Sequence, residues 1–182
     1  MPVGAATIDY PNYNINSGDY DLPVTYTDNG TGRGWNMVGN PYPATISWSS
    51  GAWVKTNINN EVYVWNPNSQ QYESYSGALG GTLLIAPGQS FFVRANAILP
   101  VLPVLTVREG CKTKGHGTFR SMETSNEHLT IRIQKDELQD QTIITRMESM
   151  TKSFDNNYDA FKLRSPVAEV PYLATLDQEG ED

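Results

Sequence analysis

The sequence predicts an all-β protein: an antiparallel β-sandwich, jelly-roll-like, with little or no helix. Three observations lead there. Nearly every apolar segment alternates with period two, the segments are short, and Gly, Pro and Asn punctuate them at turn spacing. Helical stripes are missing as well. Only Glu123–Leu129 and Met147–Phe154 could make a turn or two, and neither sustains an i, i+3, i+4, i+7 pattern. Chains built this way bury their apolar faces by stacking sheet on sheet.

In chain order, Gly34–Gly39 alternates first, with Trp35 and Met37 on one face and Asn36 and Val38 on the other. Glu61–Asn66 and Gln71–Tyr75 form a hairpin across Pro67-Asn68-Ser69-Gln70, whose residues favour turns. Ala86-Pro87-Gly88-Gln89 puts Pro87 and Gly88 at the central positions of a type II turn, where glycine accepts a positive φ. Ser90–Ala95 follows as a strand. His128–Gln134 alternates cleanly, so Leu129, Ile131 and Ile133 are expected inward, and Gln141–Met147 returns as its hairpin partner. Ala160–Leu163 and Tyr172–Leu176 are shorter strand candidates.

The 182 residues are 38% hydrophobic and include 19 aromatic side chains, enough to build a core and too apolar for a disordered chain. The longest apolar run, Ile98–Leu105, is broken by Pro100 and Pro103 and falls far short of the ~20 residues of a spanning helix, so no transmembrane segment is expected. No charged-then-apolar leader opens the chain; a signal peptide is expected either removed or outside this sequence. The net charge of −7 argues against nucleic acid as a partner, because phosphate surfaces need clustered Lys and Arg. Cys111 is the sole cysteine, so no internal disulfide helps the fold. Residues 1–100 carry nine charges and all four Trp, whereas residues 101–182 carry twenty-four charges. No linker-like stretch divides these halves, so one folded unit is expected.

Catalytic patterns are sparse. No nucleophile elbow, His-Glu-x-x-His pair, Walker loop or dinucleotide fingerprint occurs. Cys111 and His116 share the loop CKTKGHG, and His128 opens a strand, but nothing in the sequence supplies an orienting third group, so the loop reads as a connector. Asp155, Asn157 and Asp159 match the first oxygen-ligand positions of a calcium loop. Ala160 stands at the sixth position and Pro166 at the twelfth, which excludes an EF-hand. Two readings stay open there: a non-helical calcium site, or an Asx-rich turn bonded to its own backbone. Asn16–Asp21 invites the same pair of readings with less support for metal.

Aromatics are the most suggestive feature. Trp35, Tyr42, Trp48, Trp53, Tyr63, Trp65, Tyr72 and Tyr75 lie close together among Asn, Gln and Ser. Exposed rings of this kind stack on sugars or meet protein partners; buried ones make a core. Trp35 and Trp65 read as core. Trp48 and Trp53 flank the Ser49-Ser50-Gly51 turn and are expected exposed, making Trp48, Trp53, Tyr72 and Tyr75 the candidate ligand-binding set.

The run GWNMVGNPYPATISW, residues 34–48, resembles a recurring module of large exported surface proteins of Bacteroidota, written GWN-hydrophobic-hydrophobic-GNPYP with a following Trp. VYVWNPNSQQYESY, IAPGQSFFVRANA and FDNNYDAFKL fit in the same order, so the resemblance spans about residues 34–175. It implies a sandwich domain in a long adhesin-like protein exported by the type IX route, located outside the cell or on the outer membrane, with neighbouring domains of the parent chain as partners. Residues 1–33 then supply upstream strand such as Ser17–Thr25, and residues 176–182 form an acidic tail. Within the motif, Trp35, Asn36, Gly39, Asn40, Pro41, Tyr42 and Pro43, with Pro87 and Gly88 downstream, are expected to stiffen corners, and Gly39 to take a backbone angle closed to other residues. No enzyme is expected and no cofactor, calcium aside. The leading expectation is a non-catalytic interaction or spacer module; a carbohydrate-binding module and, behind it, a polysaccharide hydrolase are the alternatives.

Overall fold

The computed structural model describes residues 14–28, 33–76, 80–81, 83–96, 100–114, 128–145, 154–155 and 157–176. Its strands are β1 (Tyr20–Leu22), β2 (Trp35–Gly39), β3 (Ile46–Ser47), β4 (Val54–Thr56), β5 (Val62–Asn66), β6 (Gln71–Tyr75), β7 (Leu84–Ile85), β8 (Ser90–Arg94), β9 (Val104–Val107), β10 (His128–Lys135) and β11 (Leu138–Thr145). The fold is all-β and sandwich-like, with every pair antiparallel. No α-helix occurs among the described residues; a single 3-10 turn covers Glu109–Cys111.

A four-stranded sheet runs in the order β2-β8-β5-β6, a three-stranded sheet in the order β1-β9-β4, and β3 pairs with β7. One apolar cluster joins them. Val38, Val62, Val64, Phe91 and Val93 from the large sheet meet Leu22, Leu105 and Val107 from the small one, with Ile46, Ile85, Tyr42, Trp48 and Trp53 between. Such a shared core is what alternation along each strand produces when two sheets face each other.

Strand β5 departs from simple alternation. Val62, Tyr63 and Val64 are all buried, because β5 sits inside the sheet and its outer face is covered as well. The hairpin β5–β6 forms as the turn residues predict, with Trp65 opposite Tyr72. Gly88 takes φ 68 in the Pro87-Gly88 turn, and the Gln89 amide closes that turn on the Ala86 carbonyl at 3.1 Å.

Two sequence expectations fail here. Ala160–Leu163 and Tyr172–Leu176 are not strands; residues 157–176 form an irregular arm laid against the body. Its backbone carbonyls are taken by side chains instead of a ladder: Asn60 Nδ2 donates to Asn157 O, Ser76 Oγ to Tyr158 O and Gln71 Nε2 to Pro171 O. Second, Leu129, Ile131 and Ile133 do not point into the core. Hairpin β10–β11 pairs with no other described strand, and Leu129 and Ile131 are 57% and 41% exposed. Alternation places apolar residues on one face, but only a second layer can bury that face. Strands β3, β4, β7 and β9 escape the sequence reading, since stretches of two to four residues carry too little periodicity to detect.

Candidate functional site

The GWN…GNPYP segment turns inward. Asn36 pairs with Thr25 as a strand residue would: its Oδ1 accepts from the Thr25 amide at 2.9 Å, and its Nδ2 donates to Thr25 O at 2.9 Å and to Gly34 O at 2.8 Å. Asn40, which is buried, donates from Nδ2 to Ala44 O at 2.8 Å and Ala86 O at 2.9 Å while its Oδ1 accepts from the Tyr42 amide at 3.0 Å. One amide thus closes the bend holding Pro41 and Pro43 and ties it to the Pro87-Gly88 turn. Tyr42 is buried against Tyr20, and its hydroxyl donates to Gly18 O at 2.5 Å, with Val107 O nearby at 3.1 Å. Burial first, then the Glu109 carboxylate, push this phenol up to about 12, so it stays a donor.

Gly39 does not hold the special angle expected of it. A Cβ there would meet nothing closer than Gln89 O at 4.0 Å. Within this motif the glycine that must be a glycine is Gly34, at φ 69, where a Cβ would lie 2.0 Å from the Ala95 carbonyl oxygen. Its backbone and that of Ala95 approach so closely because Ala95 N donates to Gly34 O at 2.7 Å.

The expected ligand set does not converge. Trp48 and Trp53 are 1% and 8% exposed, not open to solvent. Their indoles pack 5.0 Å apart at 60°, and both N–H groups are satisfied: Trp48 Nε1 donates to Asn60 O at 2.6 Å, Trp53 Nε1 to Ser47 O at 2.8 Å. The turn at residues 49–51 bends both rings back under Phe91 instead of outward. Tyr72 and Tyr75, three apart on one strand, lie on opposite faces, and Tyr75 packs against the core.

Instead, the aromatic row nearest to solvent is on the outer face of the four-stranded sheet, where Trp35 and Trp65 stand half-buried. Trp35 contacts Tyr63 edge-to-face at 4.9 Å, Tyr72 meets Phe92 at 5.5 Å and Trp65 meets Tyr72 at 5.0 Å. Met37 lies exposed at the β2 edge of this row, opposite Phe92. Trp35 and Trp65 therefore exchange places with the pair expected outside. A readable signal was present: apolar residues on both parities of Glu61–Asn66 mark a strand with two covered faces.

Beneath the arm, this face holds two groups that sequence reasoning missed. Glu61 is 0% exposed; its Oε1 accepts from Asn59 Nδ2 at 2.8 Å, while Oε2 has no hydrogen-bond partner among the described residues. Burial pushes its carboxyl up to about 7, partly opposed by Asn59 and Arg94. Arg94 stacks its guanidinium over the Phe161 ring of the arm at 3.7 Å. Burial beside Glu61 also raises the Tyr63 phenol well above its ordinary range. On the other side of the sheet, Lys55 covers the Trp48 ring at 3.6 Å, donates to Trp48 O at 3.1 Å and is lowered to about 8 by burial.

Asp155, Asn157 and Asp159 form an Asx turn. Asp155 Oδ1 accepts from the Asn157 amide at 2.9 Å, and Asp159 Oδ2 accepts from the Asp155 amide at 2.7 Å. Among the described residues no three His, Cys, Asp or Glu side chains gather to hold a metal. Asp19 and Asp21 are engaged elsewhere, with Arg108 at 3.3 Å and Thr106 Oγ1 at 2.6 Å. Cys111 is buried and its thiol pushed up by that burial, which opposes the thiolate a nucleophile needs. His116 lies outside the described residues, as do parts of the 1–33 segment and residues 177–182 of the acidic tail. No described helix is long and apolar enough to cross a membrane. Comparison with family models, curated proteins and solved structures finds no match to this chain.

Proposed function

We propose that this chain is a non-catalytic module of an exported cell-surface protein, acting as an interaction or spacer unit outside the cell or on the outer membrane. The observation that supports this reading is the use made of the GWN…GNPYP…Trp side chains. Asn36, Asn40, Tyr42 and Trp48 all bind backbone groups of their own fold, so the most distinctive residues of the sequence act as joints. A module whose value is a stable shape needs such joints.

A carbohydrate-binding role is the second reading, moved from Trp48 and Trp53 to the outer face. The half-buried row of Trp35, Phe92, Tyr72 and Trp65 favours it, because ring faces left partly open can stack on sugars. A glycan array with wild type and a Trp65→Ala/Tyr72→Ala variant separates the two. Absence of binding to every glycan supports the spacer. Binding that disappears in the variant supports the sugar reading, and release of reducing ends from any bound polysaccharide would overturn both in favour of a hydrolase. Antibody labelling of intact cells tests the location.

A further inference from the structure

Hairpin β10–β11 is built for partnership. Among the described strands it is the longest pair, eight residues a strand, and β10 pairs only with β11. Every β10 side chain is exposed. Leu129, Ile131 and Ile133 stand in a row on one face, and Ile144, opposite Leu129, extends it. A long edge with apolar residues is a template for another strand, and natural proteins blunt such edges with Pro, bulges or charged side chains. Leu129–Ile133 contains no Pro and no bulge, and Arg132 is its one charge.

The two edges are not equivalent. On the β11 side the arm takes an edge group, Lys162 Nζ donating to Gln141 O at 3.2 Å, while its bonds to the Asp140 carboxylate lie on the sheet face. Among the described residues that leaves the Leu129–Gln134 stretch of β10 as the open edge.

The pattern along β10 also selects its partner. Two copies of β10, antiparallel about a two-fold axis normal to the sheet, can be set with Ile131 opposite Ile131 of the second copy. Leu129 then faces Ile133, and Arg132 faces Thr130, giving three adjacent apolar pairs and no opposed like charges. Sliding one repeat in one direction sets Arg132 against Arg132; sliding it in the other sets Arg132 against His128. The apolar row therefore favours one register, and the Arg132 charge disfavours one of the two slips from it.

We infer that the exposed edge of β10 is a homodimer interface, at which a second copy of this chain adds its own β10 about Ile131 to make a continuous four-stranded sheet. The two-fold contact uses the same β10 edge in both copies, which closes the assembly as a dimer. The inference goes beyond the proposed function and does not depend on it, since a spacer and a glycan binder can each assemble this way.

The test is sedimentation velocity on the full chain over a concentration series up to about 0.1 mM, with wild type and Ile131→Lys. Wild type is expected to pass from monomer to dimer, and Ile131→Lys, which sets two ammonium groups side by side, to weaken dimerisation at least about tenfold. Because Ile131 is exposed, far-UV circular dichroism of the variant should match wild type. An Ile131→Cys variant should form a disulfide-linked dimer under mild oxidation, whereas Thr142→Cys, on the other strand, should not. Wild type that stays monomeric overturns the inference. So does association indifferent to Ile131→Lys, equal cross-linking at Thr142→Cys, or open-ended growth of aggregates.

Discussion

The body, residues 14–113, and the C-terminal part, hairpin β10–β11 with its arm, follow the same alternating code and reach opposite outcomes. In the body, each alternating strand finds a facing layer, so Val38, Val62, Val64, Phe91 and Val93 vanish into one core around Trp48 and Trp53. In the hairpin, an equally regular row of Leu129, Ile131 and Ile133 finds none among the described residues and stays at the surface. The joints differ in kind as well. Aromatic packing and buried amides hold the body, whereas the hairpin meets the arm through the Asp140 carboxylate and the Gln141 carbonyl. Period two fixes which residues share a face; topology decides whether that face is an inside.

The comparison breaks most readily at its aromatic centre. Trp48→Ala should destabilise by ~3–5 kcal/mol, the range for emptying a large buried ring site. Trp65→Ala on the half-open outer face should cost less than half of that, both read by urea unfolding. Equal losses would mean that the outer row is as much core as the inner one. Next comes the close approach at residue 34. Gly34→Ala must displace the Ala95 carbonyl and should cost about 3 kcal/mol, while Gly39→Ala should stay within about 1 kcal/mol. Reversal of that order in thermal melts would move the strained corner back to Gly39.

A smaller effect concerns Glu61, beneath the arm. Its folded carboxyl titrates near 7, above the ordinary 4.5, so the folded chain keeps a proton that the unfolded chain releases. The stabilisation from this group is therefore complete below about pH 4.5 and is lost as pH rises through about 7, by roughly 3 kcal/mol. Glu61→Gln should remove that dependence, so the stability gap between variant and wild type should widen from pH 5 to pH 8. Parallel pH profiles would show that the carboxyl is solvated. The smallest effect sharpens the contrast directly. Leu129→Thr in the exposed row should change the unfolding free energy of the body by less than about 0.5 kcal/mol.

Much of the strand plan was legible. GWNMVG, EVYVWN, QYESY and SFFVRA carry alternation long enough to read, and Pro87-Gly88 and Pro67–Gln70 carry turn chemistry that needs no tertiary context. Illegible were the features that depend on a distant neighbour. Gly34 and Gly39 look alike in sequence, and only the approach of Ala95 distinguishes them. Trp48 and Trp53 flank a turn, which suggested exposure; Phe91, some forty residues on, covers them. The irregular arm has strand-like composition but exchanges its backbone bonds with Asn60, Gln71 and Ser76, partners no local pattern announces. Glu61 betrays nothing in sequence, because a carboxylate beginning a strand is ordinarily at the surface.

Asp140 gathers the Lys162 ammonium and the amides of Gln141 and Leu173 on its two oxygens. Because this carboxylate holds the arm at two places, Lys162 and Leu173, its loss would loosen both ends of that stretch from the hairpin at once.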